Sequence, residues 1–133
     1  MEDHELTEKI LGCAMKVHSA LGPGFLESIY QKALAHELQK AGLKTEWEKP
    51  IAVYYDGVLV GGFSADLLIE ERVMLELKAS QSLGVAHEVQ LVNYLTATNT
   101  EIGLLLNFGA QRLEFKRKSK TYRPKQPPTN LIL

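Results

Sequence analysis

Apolar residues recur along this chain in two periods, and the points where one period gives way to the other divide it into elements. Ile10, Cys13, Ala14, Val17 and Leu21 fall at helical spacing behind Thr7, a good N-cap residue, which predicts an amphipathic helix over 7–20. Gly22-Pro23-Gly24 stops that helix. A second is predicted over 25–41, with Leu26, Ile29, Tyr30, Ala33, Leu34 and Leu38 apolar and Gly42 ending it. Residues 46–55 read as a strand made irregular by Pro50, and Asp56-Gly57 is a hairpin turn into a second strand ending at Ile69. The polar cluster Glu70-Glu71-Arg72 then reverses the chain into a third strand over 73–79. Helical spacing returns at Ala86, Val89, Val92 and Leu95, predicting a helix over 86–98. The almost wholly apolar run 102–108 predicts a strand covered on both faces. Strand, helix and buried strand in that order make a parallel crossover. After a turn at Gly109-Ala110, Leu113 and Phe115 alternate with charge in a last strand over 111–117. The expectation is a single α/β domain over 1–117, followed by a tail over 118–133 that carries Pro124, Pro127 and Pro128 and has no periodicity.

Composition narrows the class. With 133 residues, 45% of them hydrophobic, the chain has enough material for one core and too little for two. The acidic start Met1-Glu2-Asp3-His4-Glu5 and the lack of any apolar run of membrane-spanning length predict a cytoplasmic, soluble protein without a membrane partner. A single cysteine, Cys13, excludes an intrachain disulfide and a paired-cysteine metal site, and belongs on the buried face of the first helix. Net charge is −1, but unevenly spread: sixteen acidic and nine basic side chains leave −7 over 1–115, while Lys116, Arg117, Lys118, Lys120, Arg123 and Lys125 give +6 over the rest. Such a basic stretch on an acidic body is a candidate for holding phosphates, or simply a solvated charged terminus.

Candidate chemistry sits on the second hairpin. If Glu70-Glu71-Arg72 is the loop, Ile69 pairs with Val73, and counting back sets Asp66 directly opposite Glu76. Like charges so placed repel unless something positive lies between them, and a divalent cation with oxygen ligands would fill that role, as would Lys78 in part. Glu76 and Lys78 share a face with Met74 and Ser80, and Val73, Leu75, Leu77 and Ala79 share the other. A salt-bridged, solvated strand accounts for the same residues. Glu27, in the first turn of the second helix, is accounted for by the helix dipole, or else it points with Tyr30 into the cleft of Asp66 and Glu76. On the third helix His87, Gln90 and Tyr94 line up one flank. No glycine-rich loop follows a strand, so a nucleotide-cofactor fold is not supported.

Gly24-Phe25-Leu26-Glu27-Ser28-Ile29-Tyr30 reproduces the motif that names the GxxExxY protein family. Val17-His18, His36-Glu37-Leu38, Glu76-Leu77-Lys78-Ala79, Gln90 to Tyr94-Leu95 and Gly103-Leu104-Leu105 through Asn107-Phe108-Gly109 extend the likeness across about 6–117. The order of elements, with Asp66 on one strand and Glu76-Leu77-Lys78 on the next, resembles the core of the PD-(D/E)xK nuclease superfamily, although Ala65 stands where that pattern has proline. The resemblance implies a restriction-endonuclease-like α/β fold: helices on a central mixed sheet in αβββαβ order, with an extra N-terminal helix and C-terminal strand. It implies a metal-dependent nuclease acting on nucleic acid, DNA ahead of RNA. Asp66, Glu76 and the backbone carbonyl of Leu77 would hold Mg²⁺ or Mn²⁺, with Glu27 taking part through metal or water. Lys78 would serve as a cation beside the attacked phosphate, and Gln90 and Tyr94 would position the site. The alternative is a non-catalytic nucleic-acid-binding or protein-interaction module with a vestigial site. The resemblance leaves oligomeric state open.

Overall fold

The computed structural model of the chain describes residues 1–120; Arg123, Lys125 and the proline-containing part of the tail lie outside the described residues. Eight elements follow in order: α1 (Asp3–Leu21), α2 (Glu27–Lys40), β1 (Thr45–Tyr55), β2 (Val58–Ile69), β3 (Val73–Lys78), α3 (Val85–Thr98), β4 (Ile102–Asn107) and β5 (Glu114–Ser119). The strands form one mixed sheet in the order β1-β2-β3-β4-β5, antiparallel except for β3 beside β4. This is a restriction-endonuclease-like architecture. Among the described residues no helix is long and apolar enough to cross a membrane.

Two apolar layers hold it together. On one face of the sheet, Leu6, Ile10, Ala14 and Val17 of α1 and Tyr30, Leu34, Ala35 and Leu38 of α2 pack on Leu67, Ile69, Leu75, Leu77, Leu104 and Leu106. On the other, Leu91 and Leu95 of α3 cover Ala65, Met74 and Leu105. The face of β3 that carries Glu76 is therefore not an open chemical face, because Met74 on it belongs to a second, smaller core. Gly103 is what lets α3 sit so close: a Cβ there would meet Leu91 at 2.9 Å and Leu95 at 3.0 Å.

Local chemistry explains most boundaries. Asp56 and Gly57 both have positive φ, 51° and 75°, as a two-residue type I′ hairpin requires, and Glu70 and Glu71 turn the next hairpin in the same region of backbone space. Two elements, α1 and β5, differ most from the sequence expectation. Helix α1 begins at Asp3 rather than Thr7, since Asp3 and Glu5 stabilise its first turn and Arg72 binds both Asp3 Oδ1 and the carbonyl of Met1. Thr7 is buried inside that helix, its hydroxyl returned to the carbonyl of Asp3. The last strand covers 114–119 rather than 111–117, so it crosses the expected boundary of domain and tail. Asn107 is the cause: its Oδ1 accepts the N–H groups of Ser80 and Gly109, and its Nδ2 donates to the Ser80 carbonyl and to Glu114, widening the turn after β4. Gly109 lies so close to Ser80 that a Cβ would stand 2.3 Å from that carbonyl oxygen.

Candidate active site

The sequence sets Asp66 one step beyond the last pair of the β2–β3 ladder, and its side chain replaces the main-chain bonds that the ladder would have made. The pairs Ile69↔Val73, Leu68↔Met74 and Leu67↔Leu75 are in the expected register, and the next pair in that count is Asp66 with Glu76. There the strands part. Leu77 N–H donates to Asp66 Oδ2 at 2.8 Å, and Asp66 N–H donates to Glu76 Oε1 at 3.4 Å. On its other edge Asp66 is skipped as well: Trp47↔Leu67 and Lys49↔Ala65 are paired on either side of it, while Glu48 opposite has φ 43° and has left the extended conformation. The alternation of β2 slips at this point. Leu67 and Ile69 face α1 and α2, whereas Ala65 joins the cluster under α3 and the ring of Phe63 stacks on Tyr94 of α3, centroids 3.7 Å apart and 13° from parallel. The carbonyl of Asp66 accepts a bond of 2.9 Å from Gln31 Nε2 of α2.

Burial then sets the electrostatics. Glu76 is only 6% exposed, and loss of water together with the charge of Asp66 pushes its carboxyl up to about 8. Asp66 is also raised, by burial first, with the Leu77 N–H pulling the other way and the charge of Glu27 adding to the rise. The two carboxyl groups are neighbours, and the charge of Asp66 opposes ionisation of Glu76. Lys78 tempers both, but among the described residues it forms no ion pair. The tyrosine of α3 is near enough for its hydroxyl to be pushed up by burial and then by Glu76 and Asp66.

The structure therefore brings Asp66, Glu76, Leu77, Lys78 and Tyr94 to one place, with Glu27 approaching from the exposed first turn of α2. Gln90, one turn before Tyr94, is exposed and makes no hydrogen bond among the described residues. Tyr30 does not point into the cleft with Glu27. It is fully buried, stacked on Phe108 at 4.8 Å, its hydroxyl donating to the Gly22 carbonyl and accepting from Phe25 N–H, so it pins the turn between α1 and α2. Nor does Glu27 complete a cage: among the described residues no three His, Cys, Asp or Glu side chains gather as a metal cluster. Two carboxylates suffice for the chemistry in question, because Mg²⁺ typically takes one or two and fills the rest of its shell with water and substrate phosphate. Two neighbouring carboxyl groups, once both are ionised, present oxygen donors of the kind such an ion takes.

The basic stretch lies elsewhere. Strand β5 is separated from β3 by β4, with Lys118 held by Glu88 of α3, and Lys120 held by Glu101 and Asn99. Lys116 and Arg117 are exposed and form no ion pair among the described residues. Two residues at the site carry no signal in the apolar periodicity. Gln31 is betrayed only by its spacing, four after Glu27 on one helix face. Phe63 has the parity of the core-facing Leu67, and only the slip at Asp66 turns it toward Tyr94.

A family model of the PD-(D/E)XK nuclease superfamily matches residues 4–118. Among solved structures, that of SSO0001 is similar in fold, with a TM-score of 0.57 and 22% identity over 73% of this chain and 52% of that one. The chain thus spans about half the length of that relative. No curated protein sequence matches it.

Proposed function

Because the chain belongs to the PD-(D/E)XK nuclease superfamily, we propose that it is a divalent-metal-dependent nuclease of the GxxExxY group that hydrolyses phosphodiester bonds of nucleic acid, DNA ahead of RNA. The observation that carries this reading is the pair of half-buried Asp66, skipped by both neighbouring ladders, and buried Glu76, with no cation in ion-pair reach among the described residues. In a merely structural site such a pair is a cost with no return, since buried charges are normally paired.

Asp66 and Glu76 would hold Mg²⁺ or Mn²⁺, joined by the carbonyl of Leu77. Bound there, the ion supplies a nucleophile at neutral pH and offsets charge on the attacked phosphate. Lys78 offers a positive charge to the phosphate oxygens from the same strand. Leu77 N–H already occupies Oδ2 of Asp66, so Oδ1 would be the oxygen offered to the ion. Glu27 would orient water at the edge of the pair, and Tyr94, its ring braced by Phe63, would present its hydroxyl beside Glu76. Gln90, unpartnered and one turn away, would meet the nucleic acid itself.

The test is cleavage of single- and double-stranded DNA and RNA with Mn²⁺ or Mg²⁺, run beside Asp66→Ala and Glu76→Gln. Turnover should fall by more than the roughly 10–100-fold that losing an outer-shell partner costs, while substrate binding persists. A wild type that binds nucleic acid but cuts none of the four substrates overturns the catalytic reading in favour of a binding module.

A further inference from the structure

Asp66 is skipped by both neighbouring ladders, so its main-chain groups have lost the partners that a strand residue normally has. Its N–H finds only a long bond to Glu76 Oε1, 3.4 Å, and the carboxylate answering it is the very group whose position is at issue. From outside the sheet, Gln31 Nε2 donates to the Asp66 carbonyl at 2.9 Å. Gln31 is 9% exposed. Its donor cannot wander, because α2 is held in rotation by buried Leu34, Ala35 and Leu38 and by Tyr30, which is locked between Phe108 and the Gly22 turn. An apolar side chain at that place would leave the carbonyl unpaired in a buried site.

We infer that Gln31 is a positioning residue for the carboxylate pair: it fixes the backbone of Asp66 off the ladder, and thereby sets the separation of Asp66 and Glu76 on which divalent-cation binding depends. The inference rests on the metal-dependent reading above. It also explains why α2 matters to a site carried on strands. Glu27 and Gln31 lie one turn apart on one face, so the helix that brings the additional acid also carries the bond that holds the strand to it.

The experiment follows Mn²⁺ binding by the electron paramagnetic resonance signal of the free ion, with amide exchange of Leu77 and Phe108 measured on the same proteins. Leu77 N–H is donated to Asp66, whereas Phe108 N–H is donated to the Lys78 carbonyl and reports the packing of the sheet end alone. Gln31→Met keeps the volume and removes the donor; Gln31→Asn keeps the amide and withdraws it by one methylene. Both should weaken Mn²⁺ binding by roughly 10–100-fold and speed exchange at Leu77, with exchange at Phe108 unchanged. Wild-type Mn²⁺ affinity in both variants overturns the inference, as does parallel loss of protection at Leu77 and Phe108, which would make Gln31 a packing residue. If Gln31→Met does not fold, Gln31→Asn decides. Should the wild type bind no Mn²⁺, the metal reading falls, and Leu77 exchange still decides whether Gln31 places Asp66.

Discussion

Asp66 and Glu76, on β2 and β3, are a half-buried and a buried acid with no cation in ion-pair reach among the described residues, whereas Lys118 and Lys120, at and just beyond the end of β5, are partly exposed cations each held by an acid of the same chain. The first pair costs stability and the second is internally satisfied. Burial is what separates them: in water the Asp66–Glu76 repulsion would be screened to little, while in the sheet loss of water raises both carboxyls against the counterweight of Lys78 and of the main-chain N–H groups. Two acids raised by loss of water set this end of β2 and β3 apart from the ion-paired lysines of the opposite edge.

The strongest way to break the contrast is to remove one of the buried charges. In chelator, Asp66→Asn should raise the melting temperature, since an amide can donate to Glu76 where a second carboxylate repels it. Adding Mn²⁺ should then do little to the variant, while in the wild type it raises the melting temperature by mass action, because the ion binds only the folded state. Calorimetric scans with and without metal measure both. An equal metal response in the two proteins would put the ion somewhere other than this pair.

Acidity sharpens the contrast next. Glu76 titrates near 8 in the folded protein against an ordinary 4.5, so between those values the folded chain keeps a proton that the unfolded chain has released. Stability of the metal-free protein from this group is therefore full below about 4.5 and lost as pH climbs through about 8, with a slope of at most about 1.4 kcal/mol per pH unit. Metal binding should run the opposite way and tighten over the same window, because it must displace the proton. Denaturant melts at a series of pH values in chelator should show the decline in wild type and a flatter course in Glu76→Gln. A wild type as flat as that variant would mean that Glu76 is ionised without metal.

How much of this could be read before the structure depends on which residues carried the signal. The hairpin at Glu70-Glu71-Arg72 fixed the register by chain length alone, so Asp66 opposite Glu76 followed from counting, and the apolar run 102–108 announced a central strand. Helical spacing put Tyr94 on one flank of the third helix, and the family resemblance set it beside the site, where its hydroxyl feels Glu76 and Asp66. What periodicity missed came from departures from periodicity. The slip at Asp66 depends on Glu48 adopting a positive φ, which no side-chain pattern records, and it reverses the faces of Phe63 and Ala65. Tyr30 stayed open between the two readings because a tyrosine near a helix start serves equally as a site residue or a core residue, and its stack on Phe108 decides for the core. Asn107 lengthened the last turn by spending its side chain on four bonds that the sequence gives no reason to expect.

The smallest effects test the other half of the comparison. If nucleic acid is drawn to the basic stretch, its described residues should not contribute equally. Lys118 already faces Glu88, and Lys116 lies near enough to that acid to help hold its carboxyl below the usual range. Arg117, exposed and without an ion pair among the described residues, has none to give up on meeting a phosphate. A cation that contacts phosphate contributes about 0.9 to the slope of log affinity against log salt, so Arg117→Ala should flatten the slope by up to that amount. Lys118→Ala should flatten it less, and Glu88→Gln should tighten binding by freeing Lys118. Neither substitution on the Glu88–Lys118 pair should alter the rate on bound substrate, because β4 stands between β5 and the strand that carries Glu76. Fluorescence anisotropy over a salt series resolves the three variants. Equal slopes for Arg117→Ala and Lys118→Ala would mean that the ion pair with Glu88 opens at no cost, and that this edge of the sheet holds charge as loosely as a free surface does.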